Sequence, residues 1–311
     1  MAERDGQDLS RFERYRDLID DWEAFADAMR RPLPACVWAN PLRLDRDALA
    51  GWFSECGVET REVPWSDDAL RIVGLPPLGN LFPFMTGLCH VQEEVSILPS
   101  TALAPRPGER VLDTCAAPGG KAAHAAAQMR NQGTLVANDR SFGRLRAVRG
   151  TVDRLGLTNV VVTCANAAGF TLGVGRFDRA MVDAPCSSEG TARKNRRVLF
   201  DSAPDYAALG GLQRAILKRA LELVRPGGRV VYSTCTFAPE ENERVVHRAL
   251  DELGFEVSVV PFRPEGLVCS PGLTHWEGQE FGAQLANAVR VWPHQQDTGG
   301  FFVAVLERGE A

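Results

Sequence analysis

From about residue 108 onward the chain alternates strand and helix patterns with a regularity that few folds can accommodate. Strand ERVLDTC leads to helix KAAHAAAQM, and GTLVAND leads to a helix over about 142 to 155. NVVVTC and RAMVDAP read as the third and fourth strands. Helix LQRAILKRALELV stops at Pro226-Gly227-Gly228 and feeds strand RVVYSTC. A further helix is expected to open at Pro239-Glu240-Glu241, where the missing proline amide and two acids suit a first turn. GFEVSVV and GGFFVAVLE supply the last strands. Short apolar strands joined by helices predict an α/β fold, Rossmann-like and doubly wound, with a mostly parallel sheet.

The preceding residues follow a different pattern. Phe12, Tyr15, Leu18, Ile19, Trp22, Phe25 and Met29 recur three or four apart, which predicts an amphipathic helix over 10 to 30, ended by Arg31-Pro32. ACVWAN, LDRDALAGWFSECG and VETREVPW then read as strand, helix and strand of a small α/β unit. GLPPLGNLFPFMTG (74 to 87) reads as a linker or irregular arm. The expected division is therefore an N-terminal unit with its linker over 1–88, as an RNA-presenting module or a packing cap, and a catalytic domain over 89–311. No apolar run approaches a membrane span and the N-terminus lacks a secretory pattern, so a cytoplasmic protein without a membrane partner is expected. Eight scattered cysteines without a CxxC pair argue against a disulfide scaffold or a zinc finger, and no metal site is expected. Monomeric behaviour is expected.

In a doubly wound sheet, ligands bind beyond the carboxyl ends of the strands. The first strand ends in Asp113-Thr114 and runs into Cys115, Ala116, Ala117, Pro118, Gly119, Gly120 and Lys121, which open a helix. Small residues and two glycines let backbone amides approach a ligand, and the helix N-terminus favours an anionic group. The second strand ends in Asp139, twenty residues after Gly119, where a carboxylate can accept both hydroxyls of a ribose. Together they predict an adenosine-containing cofactor. The glycine spacing is not GxGxxG, which counts against a dinucleotide.

The fourth strand ends in Asp183-Ala184-Pro185-Cys186 and the fifth in Ser233-Thr234-Cys235. A lone cysteine in such a chain is ordinarily a small buried hydrophobe. Two at the ends of neighbouring strands, about 4.8 Å apart, converge on the cofactor crevice and point to chemistry. A thiolate adds well to an electron-poor ring and leaves again. Its addition to carbon 6 of cytosine makes carbon 5 able to take a methyl group from a sulfonium donor, and an acid such as Asp183 at ring nitrogen 3 stabilises the developing charge. A base must then remove the carbon 5 proton, a step a second thiol can assist. This chemistry alone does not rank the two thiols.

CAAPGGK (115 to 121), DAPCSSEGTARKN (183 to 195), YSTCTFAPEENE (232 to 243) and DTGGFF (297 to 302) together resemble the RsmB/Fmu (Sun) family of RNA cytosine-5 methyltransferases, with VQEEVSILP (91 to 99) similar to the family's lead-in segment. The similarity runs from about Val91 to Leu306. It implies a class I methyltransferase fold and S-adenosyl-L-methionine as methyl donor. It implies Cys235 as nucleophile and Cys186 as the residue assisting release, with Asp183 and Lys121 in the catalytic set. The implied cofactor contacts are the 115–121 loop, Asp139 and Asp183, with Arg144 and Asn166 beside them. Asn166 stands where the family usually has Asp, which puts donor affinity in question; Ser188 replaces a usual Gly and Ala122 a common Thr.

The formal charge of −5 argues mildly against nucleic-acid binding through a general basic field. Local charge reads differently. Arg140, Arg144, Arg146, Arg149 and Arg154 give segment 139–154 a charge of +3 against Asp139 and Asp153. Arg193, Lys194, Arg196 and Arg197 give 189–197 another +3 against Glu189, directly after Cys186, and are expected to contact RNA phosphates near the target base. The first cluster is expected to be mainly a solvated face. His90 and Phe84 are candidates for lining the path of an unpaired or flipped cytosine, with packing the plainer role. Only three residues are Lys, and two of them, Lys121 and Lys194, fall inside the motifs, positions where a compact ammonium is expected to matter. Ribosomal RNA is favoured over transfer RNA as substrate. The alternatives are a DNA cytosine-5 methyltransferase and a catalytically idle RNA-binding or ribosome assembly factor on the same fold.

Overall fold

Five parallel strands lie in the order Val160–Thr163, Thr134–Asn138, Arg110–Asp113, Phe177–Asp183, Val224–Thr234, so the chain winds outward one way from Arg110–Asp113 and then the other. That reversal opens a crevice at the carboxyl ends of Arg110–Asp113 and Phe177–Asp183. The computed structural model describes residues 9–74, 76–171 and 176–310. Residues 1–8, the start of the expected N-terminal unit, lie outside them. Phe301–Arg308 pairs antiparallel with Val224–Thr234, and Val257–Val260, Val289–Val291 and Ser270–Pro271 complete a nine-stranded mixed sheet among the described residues. This is the expected α/β class. Among the described residues no helix is long and apolar enough to cross a membrane.

Helices Gly120–Gln128 and Leu145–Leu155 cover one face of the sheet and Tyr206–Leu223 and Glu243–Asp251 the other. The last of these begins at Glu243, four residues after the Pro239 expected to open it. Glu240 and Glu241 are drawn away from the helix, Glu240 to Arg14 and Glu241 to the Ser187 amide and Gln213, and Asn242 precedes the first turn instead.

The N-terminal pattern also resolves differently from the single helix expected over 10 to 30. A 3-10 helix, Ser10–Leu18, is followed by an α-helix, Trp22–Arg30, because Asp21 accepts a hydrogen bond from the Ala24 amide and restarts the helix. Phe12, Tyr15, Phe25 and Met29 do not pack on the small sheet that follows. They bury against Ala192, Val198, Phe237 and Trp292, next to the loops that follow the two motif cysteines. The small sheet is antiparallel, in the order Thr60–Glu62, Ala69–Ile72, Ala35–Ala39, Cys89–Val91. Its central strand alternates between two cores, as a period of two requires. Val37 and Ala39 meet Leu49 and Phe53 of helix Arg46–Glu55, while Cys36 and Trp38 join the core beneath Gly120–Gln128.

The glycines of DTGGFF have a steric reason. The Gly300 amide donates to the Gly190 carbonyl at 2.9 Å, and the Gly190 amide to the Cys235 carbonyl at 2.9 Å. A Cβ on Gly300 would stand 2.0 Å from the Phe237 ring, and one on Gly190 would stand 2.1 Å from the Gly300 carbonyl. Gly300→Ala is therefore expected to destabilise the fold by about 1–3 kcal/mol through overpacking, read as a lower denaturant midpoint at unchanged slope. An unchanged midpoint would show that this junction tolerates a side chain.

Candidate active site

Parallel pairing of Phe177–Asp183 with Val224–Thr234 places Asp183 opposite Ser233. The chain then turns out of the sheet on both strands, and the two motif cysteines meet, Sγ to Sγ, at 3.4 Å. Both are half-buried in the crevice. At this distance the charge of one sulfur acts directly on the other, and the surroundings of the two differ. Lys121 favours a negative Cys235 and Glu241 disfavours one on Cys186, whereas Ser188 favours charge on both, through its hydroxyl on Cys235 and its amide on Cys186. Donation from the Cys186 thiol, with help from Lys121 and Ser188, pulls Cys235 below the usual thiol range against burial and the Asp183 charge. The same bond, together with burial, pushes Cys186 well above it.

Asp183 sits between this pair and the cofactor loop. One carboxylate oxygen accepts from the Ser233 hydroxyl at 2.9 Å and the other pairs with Lys121 Nζ at 2.9 Å. Burial opposes the charge on Lys121, but Asp183 outweighs it and the ammonium is held above its ordinary range. Phe301 of DTGGFF lies under this ammonium, 5.5 Å from Nζ to the ring centroid.

Two adjoining hollows, of about 420 and 380 Å³, share Cys115, Ala117 and Asp183. The first is lined by His90, Gln92, Lys121 and Lys194. The second has Asp139, Arg144 and Asn166 on one side and Pro185, Leu212, Ile216 and both cysteines on the other. The loop amides are less available than the sequence implies. Cys115 donates to Asp113, Ala116 to the Asn138 carbonyl, and Ala117 to Asp139, leaving the first-turn amides of Gly120–Gln128 as donors. Gly119 has φ +114°, and its Cα passes so close to helix Leu145–Leu155 that a Cβ would meet Val148 Cα at 3.0 Å. Asp139 also accepts from the Ser141 amide at 2.8 Å. Arg144 lines the hollow as expected and is also anchored there. It bonds the Ala117 carbonyl at 2.6 Å and lies 3.3 Å from Asp139, locking the loop. Asn166 uses its side-chain carbonyl to accept from the Ala168 amide at 3.2 Å, which fixes its orientation.

Asp113 is a site residue that the sequence does not advertise. It is buried, burial and the Asp183 charge push its carboxyl up to about 8, and its Oδ2 has no hydrogen-bond partner. Its only sequence signal is its place as the last strand residue before the loop.

The basic loop after Cys186 divides. Lys194 and Arg197 are exposed, with Lys194 on the hollow that holds Lys121. Arg193 is not available to a phosphate: its side chain is 0% exposed, pairs with Asp297 at 2.7 Å and donates to the Thr298 and Pro32 carbonyls. Arg196 likewise donates to the Met29 and Arg30 carbonyls. Arg196 fastens the end of helix Trp22–Arg30 to the loop and Arg193 fastens the Arg31-Pro32 that follows it, a role that charge counting could not distinguish from RNA contact. On the helix expected to be a solvated face, Arg154 instead bonds the Phe84 and Cys89 carbonyls and His90. Arg154 and burial together lower His90 to about 4, so its ring is neutral where it lines the hollow.

A 26S rRNA (cytosine-C(5))-methyltransferase of Caenorhabditis elegans, nsun-1, is 35% identical over 293 residues, covering 91% of this chain and 43% of that protein. Ribosomal RNA small subunit methyltransferase F of Aeromonas hydrophila is 35% identical over 299 residues, covering 92% of this chain and 60% of that protein. The chain therefore spans about half the length of these curated relatives. The crystal structure of a methyltransferase homolog from Pyrococcus horikoshii superposes with a TM-score of 0.81 at 35% identity, covering 91% of this chain and 89% of that one. The model of the 16S rRNA methyltransferase RsmB/F family matches residues 100–307, and this chain belongs to that family.

Proposed function

We propose that this chain carries an S-adenosylmethionine-dependent RNA cytosine-5 methyltransferase activity that works through a covalent bond between Cys235 and carbon 6 of the target base. The observation that carries this reading is the 3.4 Å contact between Cys235 and Cys186 beside the Lys121–Asp183 pair. The names of the relatives support ribosomal RNA as the substrate class.

The residues fit the donor. Asp139 would accept from the ribose hydroxyls, Pro185, Leu212 and Ile216 would give the adenine an apolar wall, and the orphaned oxygen of Asp113 would suit the ammonium of the amino-acid portion. When bound, the donor supplies an electrophilic methyl group on a sulfonium centre. Cys235 attacks carbon 6 as the thiolate, forming the sulfur–carbon bond and moving electron density toward carbon 5 and nitrogen 3. Lys121 and Asp183 hold positive charge and an exchangeable proton at that edge of the ring. After methylation the carbon 5 proton passes to water, the electron pair of that C–H bond re-forms the ring double bond, and the bond to Cys235 breaks with its pair returning to sulfur. The Cys186 thiol then donates to the departing sulfur and restores the resting pair.

Incubation with labelled donor and RNA is expected to label cytosine carbon 5. Cys186→Ala should accumulate a denaturant-resistant protein–RNA adduct, and Cys235→Ala should form none. An adduct that persists in Cys235→Ala moves the nucleophile to Cys186. Labelling of DNA in place of RNA would favour the DNA enzyme, and RNA binding without donor binding would favour an idle factor with Asn166 at fault. Lys121→Arg puts a planar fork where a compact ammonium meets Asp183. It is expected to lower the single-turnover rate by about 10- to 100-fold, or ~1.4–2.7 kcal/mol in barrier. Turnover at the unsubstituted rate would mean that either cation serves.

A further inference from the structure

A separate cavity, of about 310 Å³, opens between helices Tyr206–Leu223 and Glu243–Asp251. Gly210 and Arg214 of the first helix line it, whereas Leu212 and Ile216 of the same helix line the cofactor hollow. At 3.6 residues per turn these pairs lie on opposite faces, so about one helix diameter, ~10 Å, separates the two spaces. Tyr206 and Glu240, at the amino-terminal ends of the two helices, also line the cavity. Those ends follow the carboxyl ends of the strands, and the cavity therefore opens on the same side of the sheet as Cys235.

Three arginines line it, Arg214, Arg244 and Arg248. Arg214 pairs with Glu252 at 2.8 Å. Among the described residues neither Arg244 nor Arg248 has an acidic partner, and the Nε of Arg244 is buried without a hydrogen bond. The two stand four apart on one helix, a like-charge spacing that works against the helix. A buried donor left unpaired does so as well. The only acid among the lining residues, Glu240, pairs with Arg14 and not with either of them, and an anion in the cavity would answer both.

Glu240 narrows the ligand further. One of its oxygens pairs with Arg14, which balances its charge, and the other is buried with no donor. A ligand that satisfies the whole cavity thus presents an anion to two guanidiniums and a hydroxyl to a carboxylate oxygen beside them. A ribose-phosphate unit of RNA carries both groups, the phosphate and the 2′-hydroxyl. We propose that this cavity holds a backbone phosphate of the substrate RNA a few nucleotides from the target base, with Glu240 accepting from a neighbouring 2′-hydroxyl. The proposal rests on the RNA reading of the active site, and it places an RNA contact in a chain whose net charge is −5.

The test uses the full chain with Arg244→Gln/Arg248→Gln and a fluorescein-labelled single-stranded RNA containing cytosine, followed by anisotropy across a salt series. Affinity at low salt is expected to fall about tenfold, and the slope of log K against log salt to flatten by about 0.7 for each phosphate no longer neutralised. The preference for RNA over DNA of the same sequence should narrow. The unfolding midpoint should hold or rise, since the like-charge pair is gone. Unchanged affinity and slope overturn the proposal, as does a loss of affinity that tracks a lower midpoint. Competition by inorganic phosphate that leaves the RNA slope unaltered would mean an adventitious anion site only and would likewise overturn it. Anisotropy requires no methyl transfer, so failure of the catalytic reading, seen as a missing adduct, remains separate from failure here.

Discussion

The site depends on the register between Phe177–Asp183 and Val224–Thr234. With Asp183 facing Ser233, two strand ends deliver a carboxylate, a hydroxyl and two thiols to one point, and shifting either strand by one residue would turn every one of its side chains to the other face of the sheet. Asp139 and Asp183 are matched by Arg144 and Lys121, and beside them burial, with the Asp183 charge behind it, pushes the Asp113 carboxyl up to about 8, so that a cation placed against it would ionise it. A donor that is itself cationic, through a sulfonium and an ammonium, matches such a crevice. A dinucleotide, with its pyrophosphate, does not.

The two cysteine loops are held by a second layer whose center is Glu189. This buried carboxylate accepts from Tyr15 at 2.8 Å, Tyr206 at 2.6 Å and Thr236 at 3.1 Å. It therefore joins the amino-terminal segment, the loop after Cys186 and the loop after Cys235. Glu241 adds the Ser187 amide and Gln213, and the Ser187 and Thr236 hydroxyls meet at 2.6 Å. Polar groups buried this deeply need partners, and here the partners lie on separate stretches of chain, so the fold closes around the thiols only when all of them are in place.

Much of this was legible in the sequence, for identifiable reasons. Alternating strand and helix patterns carry the sheet because burial on both faces leaves a strong signal, and residues at strand ends must fall in the crevice once the order is known. Asp183, Cys186 and Cys235 meet for that reason. Charge was the poorer guide. Arg193 and Arg197 are equivalent in a count, yet one is buried on backbone carbonyls and the other is exposed. Only packing separates them. The amino-terminal aromatics announce a helix but not its partner, because periodicity says which face is buried and not what covers it. Asp113 escaped notice because its importance lies in a missing hydrogen bond, which no pattern of residue types encodes.

The proposed chemistry turns on Cys235, not Cys186, holding the negative charge of the pair. Site-resolved alkylation with iodoacetamide across a pH series, with each cysteine followed by peptide mass spectrometry, measures this directly. Reaction at Cys235 should rise with pH and level off below the ordinary thiol value of about 8.5, while Cys186 lags well above it. Faster modification of Cys186 at neutral pH, or two indistinguishable profiles, would contradict the assignment of the thiolate to Cys235.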